Sequence, residues 1–185
     1  ASIERTSVVA GVQLKQSSRA GTLVFVQVDH EYRQNTGKNC QPLLNERQTI
    51  VYKEHAPFSP AAPALADDAP CALSFIADSR LLFRYSALTF NAHRIHYDHL
   101  YATSEEGYPG LVVHGPLMAT LLMNLAQQTQ ATKALGCFEF RAAAPAFADQ
   151  TLSACTTDQS RENFAIRNQH QALIMTAKAS FADNH

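Results

Sequence analysis

Between Phe83 and Leu125 the chain concentrates side chains able to move protons. Asn91, His93, His96 and Asp98 fall close together. Imidazole titrates near neutrality and so can take a proton and return it. Further on, Gly107-Tyr-Pro-Gly-Leu-Val-Val-His114-Gly115-Pro116 runs into a long apolar segment. A glycine there would open a buried helix, where backbone N–H groups are unpaired and the helix end is partly positive. Pro116 has no N–H, so Gly115 is the local donor. Proton carriers beside an oxyanion-binding helix start are the parts needed for chemistry next to a carbonyl. His93, His96 and His99 also raise a metal reading. Steps of three do not place all three on one helix side as an i, i+4 pair would, and no nearby Cys or Glu completes a set. The expectation is no metal.

Positioning these groups requires a scaffold. Val8 to Leu14, Thr22 to Tyr32 and Gln48 to Lys53 read as three strands of an antiparallel meander, joined by turns at Ser17–Gly21 and Asn35–Asn39. Residues 56–72, with Pro57, Pro60, Pro63 and Pro70 in an Ala-rich background, read as an extended linker. A strand is expected from Leu81 to Phe90, then a short helical or irregular segment to Tyr101. The main helix is predicted from Pro116 to about Gln130, apolar on most faces and therefore buried. Four strands follow: Cys137 to Ala143, Thr151 to Thr157, Asn163 to Asn168 and Ala172 to Phe181, with a hairpin turn at Gln169-His170. One buried helix with about five antiparallel strands is an α+β arrangement.

Bulk properties narrow the classes. At 185 residues the chain fits one large domain or two small ones. A net charge of -1 gives no reason to expect nucleic acid or an anionic membrane, and the apolar run at Leu117–Leu125 is too short to span a bilayer. No signal peptide is visible. Cys40, Cys71, Cys137 and Cys155 form no CxxC pair and read as reduced thiols in a reducing compartment.

The segments Phe83–Asp98 and Gly107–Leu117 resemble the MaoC-like hydratase and dehydratase family, in the branch of 3-methylfumaryl-CoA (mesaconyl-C4-CoA) hydratases, itaconyl-CoA hydratases and mitochondrial 3-hydroxyacyl-thioester dehydratases. Phe138-Glu139-Phe140-Arg141 with Pro145 resembles the strand after its helix. The resemblance implies the hot-dog fold, an antiparallel sheet wrapped around a buried helix. Residues 1–55 would be strands of a partial N-terminal hot-dog unit lacking its helix, and 73–185 a C-terminal MaoC-like unit. It implies reversible hydration of an enoyl-thioester carried on CoA or acyl-carrier protein, with no cofactor beyond the thioester itself. A branched C5 dicarboxylyl-CoA competes with straight-chain substrates.

By position, His96 matches the family's catalytic acid/base and Gly115 its oxyanion-binding amide. Asn91 stands where the general family has Asp, and His93-Arg94 where it has Asn-Pro. A carboxamide is no base, so Asn91 would hold the attacking water, or merely cap the local turn. His93 would support the water network, Asp98 orient a histidine or fix a turn, and His114 line the pocket or pack. Arg84, Arg94 and Arg141 are the candidates for a substrate carboxylate or the CoA phosphates. A hot-dog thioesterase and a non-catalytic hot-dog subunit or fragment are the alternatives. Unpaired strand edges predict a homodimer or higher oligomer. The expected location is the cytoplasm, or the mitochondrial matrix in a eukaryote.

Overall fold

The structure, a computed structural model, describes residues 2–17, 21–35, 40–54, 58 and 71–183. Residues 18–20 and 36–39 of the expected turns, and all of the expected linker except Phe58, Cys71 and Ala72, lie outside the described residues. The chain divides into two compact units, Ala1–Ala56 and Pro57–His185.

The first unit is the expected meander. Strands β1 (Ser2–Ser17), β2 (Gly21–Asn35) and β3 (Cys40–Lys53) pair antiparallel in the order β1-β2-β3. Its register puts Val9, Val12 and Leu14 on the same face as Val24, Val26 and Val28, and these on the same face as Ile50 and Tyr52. The opposite face carries the Asp29–Arg47 ion pair at 2.7 Å. The strands run longer than expected because their polar ends still pair.

In the second unit, β4 (Cys71–Ile76), β5 (Lys133–Ala142), β6 (Thr151–Thr156), β7 (Asn163–Asn168) and β8 (Leu173–Asp183) form one antiparallel sheet, ordered β4-β6-β7-β8-β5. Helix α2 (Gly115–Thr129) packs against it. Leu117, Met118, Leu122 and Leu125 of the helix share a core with Leu152, Phe164, Ile166 and Met175 of the sheet. Each such side chain contributes about 2 kcal/mol on burial. Met123 stays exposed, so the helix buries a face rather than its whole surface. Sheet and helix give the expected α+β arrangement, and among the described residues no helix is long and apolar enough to cross a membrane.

Two expectations are corrected. The stretch read as a strand from Leu81 to Phe90 is a helix, α1 (Ser79–Thr89). Asp78 caps it: its Oδ1 accepts the Leu81 N–H at 2.8 Å, satisfying a donor that would otherwise be orphaned. Leu82 and Ser86 face inward at a spacing of one helical turn, while Leu81, Phe83 and Leu88 are exposed. The helix stops at Phe90, which takes the left-handed conformation at φ 53°, and the Asn91 N–H donates to the Ser86 carbonyl at 2.9 Å. Second, Cys71 and Cys155 are not reduced thiols. They stand opposite each other in the β4–β6 register and are joined in a disulfide. Cys137 is free and exposed.

Candidate active site

The turn after α1 is built by Asn91. Its side-chain Oδ1 accepts the His93 N–H at 3.0 Å, steering the chain into the 3-10 turn Arg94–His96. That turn is tied to the strand-like residue Val112 at two points. The Val112 N–H donates to the Ile95 carbonyl at 2.9 Å, and the Val112 carbonyl lies 2.8 Å from His96 Nδ1. A carbonyl can only accept, so Nδ1 carries the proton. In the neutral ring Nε2 is then the basic nitrogen. His96 is buried, and burial, followed by the neighbouring His93, pushes its pKa below the usual histidine value against the opposing pull of the Val112 carbonyl.

His114 stacks on that ring. The two centroids are 3.8 Å apart and the planes 19° from parallel. His114 is completely buried, and its Nε2 lies 2.8 Å from Ser86 Oγ. Tyr85 meets it edge-on at 4.9 Å. Burial, then His96, lowers its pKa to about 4. The His93 ring, itself exposed, stands nearly perpendicular to His96 at 5.6 Å.

His114 is also the residue before α2, and the helix opens on Gly115 with Pro116 behind it. Gly115 is only partly buried, and among the described residues its N–H has no hydrogen-bond acceptor. A side chain at that position would meet Met175 Cε at 4.0 Å, ordinary contact distance. The donor is therefore free for an incoming oxygen.

The remaining expected residues sit apart from this group. Among the described residues Asp98 bonds no histidine. Its carboxylate accepts the Tyr101 N–H at 3.0 Å and pairs with Arg94 at 2.7 Å, and the Tyr101 bond, then Arg94, holds its pKa below the usual range. Arg94 additionally lies over the Tyr101 ring at 4.1 Å. Asp98 thus fixes the entry to the π-helical turn Tyr101–Glu105. Arg84 is exposed on α1. Arg141 is exposed on β5, beside a shallow depression of about 230 Å³ lined by Phe140, Asn163 and Lys178 among others. Sequence reasoning did not reach Ser86, Tyr85 or the Val112 carbonyl. The signal for Ser86 was its place one turn after Leu82, visible only once α1 is read as a helix.

Comparison with known proteins bears on this constellation. Residues 1–148 match the model of the hydroxyacyl-thioester dehydratase type 2 family. The chain belongs to that family. A mesaconyl-C4-CoA hydratase of Chloroflexus aurantiacus is 47% identical over 146 residues, covering 77% of this chain and 50% of that protein. The chain thus spans about half the length of this curated relative. Among solved structures, HtdX of Mycobacterium tuberculosis superposes with a TM-score of 0.66 at 16% identity, covering 96% of this chain and 67% of that one. A second M. tuberculosis protein, described as having a double hot-dog fold, gives a TM-score of 0.59 at 12% identity, covering 97% of this chain and 68% of that one. The fold expected from the resemblance is therefore the fold found, and the family is the one the Phe83–Asp98 and Gly107–Leu117 segments pointed to.

Proposed function

We propose that this chain carries the site of a hydro-lyase that reversibly hydrates an α,β-unsaturated thioester on CoA or acyl-carrier protein. The observation that carries the reading is His96. Its Nδ1 is held on a backbone carbonyl, its Nε2 is left basic, and the stacked His114 leads directly into a helix start with an unclaimed N–H. In hydration, His96 Nε2 takes a proton from water as the water oxygen bonds to the β-carbon. The thioester oxygen gains negative charge, and the Gly115 N–H donates to it. The enolate then takes a proton at the α-carbon from the protonated His96, which returns to neutral. Water is added as H and OH, and dehydration is the reverse.

The thioester itself acidifies the α-position, so this chemistry calls for neither metal nor redox cofactor. Asn91 would contribute its side-chain NH2 to the water network, since its Oδ1 is engaged by the His93 N–H. His93 supports that network. Of the arginines, Arg84 and Arg141 are more open to a substrate carboxylate or CoA phosphate than Arg94, which Asp98 holds. A branched C5 dicarboxylyl-CoA is the preferred acyl group, on the strength of the 47% identity to a mesaconyl-C4-CoA hydratase. Strands β1–β3 would be part of an N-terminal hot-dog unit. The active form would be a homodimer or higher oligomer in the cytoplasm or mitochondrial matrix.

Hydration of crotonyl-CoA and mesaconyl-C4-CoA by the wild type and by His96→Ala tests the reading. Turnover lost in the variant supports it. No hydration of either thioester by a folded wild type overturns it, and thioester cleavage without hydration would point to a thioesterase instead.

A further inference from the structure

The His114–Ser86 contact bears on how many protons the stacked histidine pair can hold. His114 is wholly buried and its Nδ1 has no hydrogen-bond partner among the described residues. Among the described residues the ring's one hydrogen bond joins Nε2 and Ser86 Oγ at 2.8 Å. Two tautomers fit that distance. If Nε2 accepts from the serine, Nδ1 must bury an N–H with no acceptor. If Nε2–H donates to the serine oxygen, Nδ1 buries only a lone pair, and the rotatable serine O–H has to be placed elsewhere. Each arrangement leaves one buried donor to place, so the surroundings of Nδ1 decide. The positive end of α2, at whose N-cap position His114 stands, favours the lone pair at Nδ1.

We propose that Ser86 is a positioning residue: its hydroxyl oxygen accepts His114 Nε2–H, keeping that ring neutral and stacked on His96, so that the pair takes up one proton beyond its two neutral rings and takes it on His96. A second proton would place two cations 3.8 Å apart and leave a buried N–H⁺ without a partner. The pKa of His114, lowered to about 4, agrees with this. The other titratable groups against the pair are Tyr85 from α1 and His93 from the 3-10 turn. Among the described residues no carboxylate bonds either ring. Ser86 acts in two directions: its carbonyl receives the Asn91 N–H at 2.9 Å, and its hydroxyl meets His114. It thereby ties α1 both to the turn that leads into His96 and to the ring stacked on it. The tautomer assignment stands alone; its consequence for turnover rests on the hydratase reading.

The test combines imidazole nitrogen NMR with kinetics on the wild type, Ser86→Ala and Ser86→Thr. In the wild type at neutral pH, His114 is expected as the Nε2–H tautomer and His96 as Nδ1–H, with His96 protonating first on acidification. In Ser86→Ala the His114 tautomer preference is lost. There kcat falls about tenfold with KM within about twofold, the cost of a mis-set base, and Ser86→Thr restores most of it. An Nδ1–H tautomer at His114, or protonation of His114 ahead of His96, overturns the proposal whatever the enzyme does. If His96→Gln is inactive while Ser86→Ala turns over like wild type, the proposal falls and the hydratase reading stands. If the wild type hydrates no thioester, the reading falls and the NMR still decides the tautomers.

Discussion

A buried imidazole that refuses a proton makes the fold acid-sensitive, and His114 permits the size of that effect to be worked out. In the unfolded chain a histidine titrates near 6.5; in the folded protein His114 is held at about 4. Above the unfolded value both states bind no proton, and the group contributes no pH dependence. As pH falls from about 6.5 towards about 4, the unfolded chain takes up a proton that the native ring does not, and stability drops. Below about 4 both states are protonated and the drop ends. The full difference is worth about 3 kcal/mol, a large share of a typical stability of roughly 5–15 kcal/mol. His114→Phe keeps a planar ring against His96 and removes the titration. Its lost bond to Ser86 lowers stability similarly at every pH, so the pH dependence isolates the proton. Urea unfolding at about pH 7 and about pH 4 should show the wild type losing about 3 kcal/mol more than the variant between the two. His96, depressed in the same direction, titrates in both proteins. Equal losses would refute the claim that His114 is buried neutral.

Three further outcomes follow from the same geometry. His96→Gln should lower kcat by about 10²–10⁴-fold in a hydration assay, with the melting temperature little changed, since the base is lost but a polar group remains for Val112; retention of a tenth of the activity would remove His96 from the chemistry. Phe90→Gly should raise stability by about 1 kcal/mol in urea unfolding, because Phe90 is 95% exposed and its left-handed φ of 53° is cheap only for glycine. Leu122→Ala, at a fully buried position between α2 and the sheet, should cost about 3 kcal/mol in the same measurement.

The parts legible in the sequence were those with one dominant local signal. Pro116 after Gly115 marked the start of α2, and short runs of strand-forming residues marked β6, β7 and β8, with Gln169-His170 turning between the last two. Leu81–Phe90 carried a weaker signal. Leu, Phe and Tyr suit a strand as well as a helix, and the deciding residue, Asp78, stands outside the run as a cap. Misreading that element hid Ser86, which reaches His114 only from a helical face. The Cys71–Cys155 link was not readable either, because it depends on the register of two strands far apart in sequence. His96 and Gly115 were singled out chiefly by the resemblance of their segments to the family, and His93 by its spacing from His96. The carbonyl that sets the His96 tautomer was not, since every residue has one and only the fold selects Val112.

The replacement of an expected carboxylate by Asn91 acquires a physical sense once α1 is seen as a helix. Asn91 ends that helix with its N–H and begins the next turn with its Oδ1, so both groups serve the backbone. An Asp could make the same two bonds through its N–H and one oxygen. Its second oxygen would bring a charge beside His93 and His96, and a nearby anion raises the pKa of an imidazole. Asn places no such charge there. With His114 held near 4 and Asn91 unable to ionise, the His96 proton is set by burial and by the Val112 carbonyl rather than by a carboxylate partner. The asparagine therefore fits the proposed hydratase site, in which one buried imidazole, neutral at physiological pH, would both take and return the proton.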